Sequence, residues 1–155
     1  MESTTSKLQF EVAEIQLSYK SKVKPSLRPK INSSREAYEV LLQTWDEDKL
    51  ELIEQFKILI MNRGNRVLGI FEVSTGGGGS TIVDPKVVFA AAIKSNATSI
   101  ILAHNHPSGA LRASEADSRL TRRLSEAGRL LDIPVLDHII VSCEGYLSFA
   151  DEGLL

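Results

Sequence analysis

The chain has 155 residues, 43% of them hydrophobic and 25% charged, with a formal net charge of −2; this balance suits one compact domain with a buried core plus a tail, and supplies no overall positive field for a polyanion. The apolar runs around Lys57-Ile58-Leu59-Ile60 and Ser99-Ile100-Ile101-Leu102 fall far short of the roughly 20 residues that span a bilayer, and no basic-then-apolar leader opens the sequence. Cys143 is the only cysteine, which excludes a disulfide framework and a thiolate zinc cage within one chain. By elimination the cytoplasm is the expected compartment.

In chain order, residues 1–30 form an N-terminal arm distinct from the rest. Phe10, Val12, Ile15 and Leu17 are apolar without a sustained period, and predict a short strand or helix. Tyr19 to Lys30 is basic and broken by Pro25 and Pro29, which predicts an extended segment. Its lysines, Lys20, Lys22 and Lys24, offer a nucleic-acid contact, but so few charges release few counterions, and a solvated linker is the preferred reading.

Residues 31–155 read as one domain. Ser33 or Ser34 caps a helix that turns Ala37, Val40, Leu41 and Trp45 toward a core. Ile53 to Met61 predicts a strand with Phe56, Ile58 and Ile60 on one face and Leu59 and Met61 on the other. Asn62-Arg63-Gly64-Asn65 predicts a hairpin turn into a second strand, Arg66 to Val73. Gly76 to Gly79 lacks the lysine and helix start of a phosphate-binding loop and reads as a flexible connection. Asp84-Pro85 opens a helix with Val88, Ala91 and Ala92 inward. Thr98 to Ala103 has the length of a central strand. After a loop, a helix from near Ser114 carries Ala116, Leu120, Leu124, Ala127 and Leu131 on one stripe. Pro134 to Val141 and Tyr146 to Phe149 predict two further strands around the turn Glu144-Gly145. Interleaved strands and helices imply an α/β layered fold on a mixed sheet.

The chemistry concentrates in His104-Asn105-His106-Pro107-Ser108-Gly109 and Ser114-Glu115-Ala116-Asp117. Two histidines at i and i+2 share one face if strand geometry persists to His106, so both imidazoles can grip one cation. Asp117, in the first turn of the next helix, can point back and supply a third ligand. Two nitrogens and one oxygen suit zinc, and three protein ligands leave a fourth position open for water. Ser114 and Asp117 also fit a helix capping box, which would explain both without a metal. The two readings are compatible, since a capped first turn fixes the aspartate.

His104-x-His106-Pro107, six residues, Ser114, two residues and Asp117 resemble the signature of the JAMM (MPN+) metalloproteases. Ala103-His104-Asn105-His106-Pro107-Ser108-Gly109, Leu136-Asp137-His138-Ile139-Ile140-Val141 and Tyr146-Leu147-Ser148-Phe149 resemble the RadC proteins of bacteria, a likeness that covers about residues 31 to 155. Typical RadC proteins carry a helix-hairpin-helix region at the front, where this chain has only the basic arm. The resemblance implies a cytidine-deaminase-like (JAB/MPN) three-layer α/β/α sandwich with a mixed central sheet. It also implies a Zn2+ ion on His104, His106 and Asp117, and an upstream glutamate that takes a proton from water. Glu54, at the head of its strand and sharing the side of Phe56 and Ile58, is the best candidate; Glu51 and Glu72 are weaker ones. Ser114 would stabilise the oxyanion.

Asn105 points to the opposite face and is expected to pack. His138 is either a partner of the site or, preferably, a satisfied core histidine, and Cys143 is expected to be inert. The implied function is a zinc metallopeptidase or isopeptidase acting on a peptide or protein. The alternatives are a DNA-repair or mobile-element accessory protein that uses the fold for binding, or a metal-dependent nuclease. A zinc deaminase is excluded, because it needs a Cys-x-x-Cys pair. The sequence leaves the oligomeric state open.

Overall fold

The computed structural model describes residues 7–76 and 81–155. Strand β1 (Gln55–Met61) is buried at all seven positions, the signature of a strand covered on both faces. Its pleat sends Phe56, Ile58 and Ile60 into one core and Leu59 and Met61 into another, as the alternation predicts. Asn62 closes the following turn, its Oδ1 accepting from the backbone N–H groups of Gly64 and Arg66. Asn65 there has φ 57°, a left-handed conformation that asparagine tolerates better than most side chains. The hairpin leads into β2 (Val67–Thr75), antiparallel to β1 and two residues longer at its end than expected.

Strand β3 (Ser99–Asn105) lies antiparallel on the other side of β1, with Phe56 opposite His104. β4 (Val135–Val141) runs parallel to β3, and β5 (Tyr146–Ser148) returns antiparallel to β4. The sheet order is β2-β1-β3-β4-β5, a mixed sheet. One face is covered by α1 (Ser34–Thr44), capped by Ser33, through Ala37, Tyr38 and Leu41, with Trp45 just beyond. The other is covered by α3 (Pro85–Lys94) and α4 (Glu115–Leu130), through Val88, Phe89, Ala92 and Leu124. The result is the three-layer α/β/α architecture. A short helix, α2 (Glu47–Leu50), capped by Asp46, links α1 to β1. No helix among the described residues is long and apolar enough to cross a membrane.

Four expectations need correction. Phe10 to Leu17 form neither strand nor helix; with no partner to cover its apolar side chains, the segment has nothing to order against. The basic arm is extended except for a 3₁₀ turn at Pro25–Leu27, and its end docks on the hairpin, where Lys30 bridges Arg66. The strand expected to end at Ala103 continues through Asn105, because β1 and β4 pair with it that far. Gly77, Gly78 and Gly79 of the glycine connection lie outside the described residues.

The fourth concerns α4, whose buried residues are Thr121, Leu124 and Gly128. Leu120 and Ala127 pack beside them, whereas Ala116 and Leu131 are exposed. The buried line of the helix is displaced from its purely apolar stripe, and Gly128 lets the chain after the helix fold back closely, the Ile133 N–H donating to the Gly128 carbonyl at 2.8 Å. A Cβ there would lie 2.4 Å from the Ile133 carbonyl oxygen, a backbone atom with no freedom to move aside. Alanine favours a helix interior by up to about 1 kcal/mol, yet Gly128→Ala should destabilise the fold by about 1–3 kcal/mol through overpacking. Urea unfolding of the two proteins measures the difference, and a stabilised variant would contradict this packing.

Candidate metal centre

His104 sits at the buried end of β3, hydrogen-bonded on both sides in the sheet, so its Cβ direction is fixed by the pleat. Asn105 projects to the other face, and His106, just past the strand, returns to the face of His104. Pro107 ends strand pairing by removing a donor. The chain then turns at Gly109, with φ 78° and its N–H bonded to the His106 carbonyl at 2.8 Å, and enters α4. Ser114 is the N-cap. Its Oγ accepts from the Asp117 N–H at 3.0 Å, and Asp117 Oδ2 accepts from the Ser114 N–H at 2.9 Å. The capping box therefore exists, and it aims the carboxylate at the end of β3.

Glu54, His104, His106 and Asp117 converge, each offering one ligand atom within 4.8 Å of the others. His104 Nε2 lies 2.9 Å from His106 Nε2, 3.4 Å from Asp117 Oδ1 and 3.9 Å from Glu54 Oε1, and His106 Nε2 lies 3.4 Å from Asp117 Oδ2. Bonds of about 2.0–2.1 Å in a tetrahedral set place neighbouring donors roughly 3.4 Å apart. Asp117 meets that spacing through Oδ1 toward His104 and Oδ2 toward His106, the two imidazoles at 2.9 Å are closer together than it, and Glu54 stands farther out, beside the remaining position.

The hydrogen-bond network assigns which ring nitrogens carry protons. Thr121 Oγ1 donates to the Asp117 carbonyl at 2.7 Å, so it must accept from His138 Nδ1, 2.6 Å away. His138 Nε2 is then a bare acceptor, and His104 Nδ1, at 2.7 Å, must be the donor. His104 is left with a bare Nε2 facing Asp117. His106 Nδ1 faces the Ala110 carbonyl at 2.7 Å, which can only accept, so its Nε2 is bare as well. With both rings neutral, two lone pairs and a carboxylate confront one another at about 3 Å separations, an arrangement that calls for a cation, either a proton or a metal ion.

With a proton as that cation, an imidazole Nε2–H donates to the Asp117 carboxylate, and the electrostatics describe that state. A hydrogen bond with Asp117 raises the His106 pKa above its ordinary value, more than burial lowers it. Burial pushes Asp117 up, but hydrogen bonds from His104, His106 and the Ser114 N–H outweigh it and hold the carboxyl far below the usual carboxylate range. Burial raises Glu54, with His104 and His106 opposing. His138 is fully buried and held neutral by desolvation. It lies in the core and is also bonded to a candidate ligand. The one sequence signal for its partner is that Thr121 stands four residues after Asp117, on the same helical face.

Asn105 is buried on the opposite face as expected, but it is a polar clamp rather than a packing residue. Its Oδ1 accepts from the Gln55 N–H at 2.8 Å, and its Nδ2 donates to the Leu50 and Ile53 carbonyls at 2.7 and 2.9 Å. Those three groups bracket Glu54. Neither weaker glutamate reaches the centre: Glu72 accepts from Gln55 Nε2 at 2.6 Å, and Glu51 accepts from the exposed Cys143 at 3.7 Å. The centre lines a cavity of about 590 Å³ with Leu52, Phe56, Val83 and Leu120 among its walls, and Ser114 at its edge.

Thr121→Val should keep the shape of the interior while removing the acceptor that orients His138. Loss of such an outer partner typically weakens metal binding about 10–100-fold. Competition against a chromophoric chelator reads the affinity, and circular dichroism checks that the fold is retained. An unchanged affinity would show that the ring-proton order does not matter to the ligands.

The sequence model of the RadC-like JAB domain matches residues 31–154 of this chain. A UPF0758 protein of Flavobacterium johnsoniae is 38% identical over 144 residues, which are 92% of this chain and 62% of that protein. A UPF0758 protein of Symbiobacterium thermophilum is 47% identical over 103 residues, 66% of this chain and 44% of that protein, and one of Desulfitobacterium hafniense is 39% identical over 131 residues, 84% and 56% respectively. The chain thus spans about half the length of the curated relatives it matches. By the match over nearly all of its α/β/α unit, the chain belongs to the RadC-like JAB domain family.

Proposed function

We propose that this chain is a zinc-dependent hydrolase that cleaves an amide bond of a peptide or protein, as a peptidase or isopeptidase. The observation that carries the reading is the meeting of two imidazole nitrogens and the Asp117 carboxylate, with a second acidic group, Glu54, set 3.9 Å from the His104 nitrogen. Two nitrogen donors and one carboxylate suit zinc with a position left over. A zinc ion so held supplies Lewis acidity, lowering the pKa of water to near 7 and polarising a carbonyl.

The chain's own residues account for the remaining steps. Glu54 stands beside the centre without completing its triangle, and burial lifts its pKa toward that of a useful base. Its carboxylate takes a proton from the attacking water and delivers it to the departing amine. Asn105 and the strand head hold that carboxylate in place. Ser114 Oγ already accepts from the Asp117 N–H, so its own proton is free to donate into the cavity, toward an oxyanion. The apolar wall of Phe56, Val83 and Leu120 suits a peptide side chain next to the scissile bond and reduces water around the developing charge.

Glu54→Gln should retain one zinc per chain and lose peptide hydrolysis about 10²–10⁴-fold, whereas His104→Ala should lose the metal itself. Metal analysis together with digestion of a mixed peptide library separates the two outcomes. Equal cleavage by the wild type and Glu54→Gln would sink the peptidase reading. Ser114→Ala should lower kcat about 100-fold with zinc retained if its hydroxyl meets the oxyanion, and a change in KM alone would contradict that role.

A further inference from the structure

Outside the candidate metal centre, exposed apolar side chains of the described residues are most concentrated in the N-terminal arm. Leu8, Phe10, Val12, Ile15 and Leu17 are between 76% and 90% exposed, and unlike scattered surface residues they follow one another along a single short segment. Residues 7–18 make no hydrogen bond to any other described residue. Their order is not random. Leu8, Phe10 and Val12 alternate with Gln9 and Glu11, and Ile15, Leu17 and Tyr19 alternate with Gln16 and Ser18. The two runs differ in phase by one residue at Ala13-Glu14, the kind of step a β-bulge absorbs. This is the pattern of a strand without a sheet.

The sheet has a matching vacancy. β2 is its terminal strand, and on its outer side the pairing stops at the first residues, where Val67 N–H meets the Pro29 carbonyl and Arg66 bridges Lys30. From Gly69 to Thr75 the outer backbone groups have no partner among the described residues. Ile70 and Phe71 are 38% and 36% exposed there, and the stretch contains no proline or lysine, the residues that usually block such an edge. At about 3.3 Å per residue, the twelve residues Leu8–Tyr19 reach roughly 40 Å and β2 roughly 30 Å, so the arm is long enough to cover the edge.

We propose that the arm of one copy adds as a strand to the β2 edge of a second copy, reciprocally, in a twofold dimer. One chain carries both the donor strand and the acceptor edge, and a reciprocal exchange satisfies both at once in a closed assembly. Within its own molecule the arm is rooted beside β2, Tyr19 Oη donating to the Leu68 carbonyl at 3.4 Å, and the residues before it stand clear of that edge. The dimer does not depend on the metal chemistry.

Light scattering coupled to size exclusion reads the outcome on the full chain. The wild type should elute at twice 17.0 kDa. Phe10→Asp combined with Val12→Pro should elute as a monomer that still unfolds cooperatively, at a midpoint no longer dependent on protein concentration, because those side chains pack on nothing in the monomer. Ile70→Lys, on the receiving edge, should do the same. A monomeric wild type overturns the proposal, as does an arm variant that stays dimeric. A monomeric arm variant alongside a dimeric Ile70→Lys would overturn the β2 edge as the receiving surface.

Discussion

A directional hydrogen-bond chain underlies the metal centre: Thr121 donates to a backbone carbonyl, His138 donates to Thr121, and His104 donates to His138. A hydroxyl already donating to a carbonyl can only accept from its next neighbour. That single restriction propagates through two imidazoles and leaves the last with its lone pair aimed at Asp117. The chain begins at the carbonyl of Asp117 and ends opposite the carboxylate of Asp117, so the same residue sets the proton order and receives its result. Burial is part of the mechanism, because His138 and His104 are almost fully enclosed, with Phe149 stacked on His138 and Phe56 beside both rings. Water has little access to compete for these bonds or to scramble the tautomers.

The pleat of β3 then divides the work between two faces. His104 and His106 face the α4 side and hold the centre, while Asn105 faces the α1 side and ties down the chain around Glu54. One short stretch of strand therefore sets the ligands directly and the acid indirectly. Both depend on β3 being paired on each side as far as residue 105; an end frayed by two residues would release ligand and clamp together. The cost of a polar residue buried at position 105 is offset by the three backbone partners it satisfies.

Much of this was legible in the sequence, and the illegible parts share a physical cause. The alternation of Phe56 to Met61 gave both faces of β1 because a two-sided strand must be apolar at each step. The convergence of His104, His106 and Asp117, with Ser114 as the cap, follows from local spacing, since strand pleat and first-turn geometry are short-range. For His138 the sequence leaves a partner role beside the preferred core role, because the choice depends on how β4 registers against β3 and on α4 packing over both. Parallel pairing across a helical crossover leaves no local trace in either strand. The displaced ridge of α4 was missed for a related reason: Thr121 and Gly128 are buried for their hydroxyl and for their lack of a side chain, neither of which an apolar stripe reveals. The segment Phe10 to Leu17 failed differently, since its residues have strand-like character but no partner in the molecule.

That failure bears on how the chain divides its tasks. In the α/β/α unit, local preference and tertiary packing agree nearly everywhere, and the two cores account for almost every large apolar side chain of the sheet. The arm and the β2 edge are where that agreement stops, and they stop in complementary ways, one with apolar residues and no backbone partners, the other with backbone groups and no neighbouring strand. Joining them would satisfy both, which is the consistency between local preference and packing that the rest of the sheet shows. The candidate metal centre opens between β1, β3 and α4, and its cavity also takes in Thr81, whose Oγ1 donates to Ser74 Oγ of β2 at 2.6 Å. β1, which lies between β2 and β3, and that side-chain bond are therefore the two routes by which a change at the β2 edge would reach the cavity.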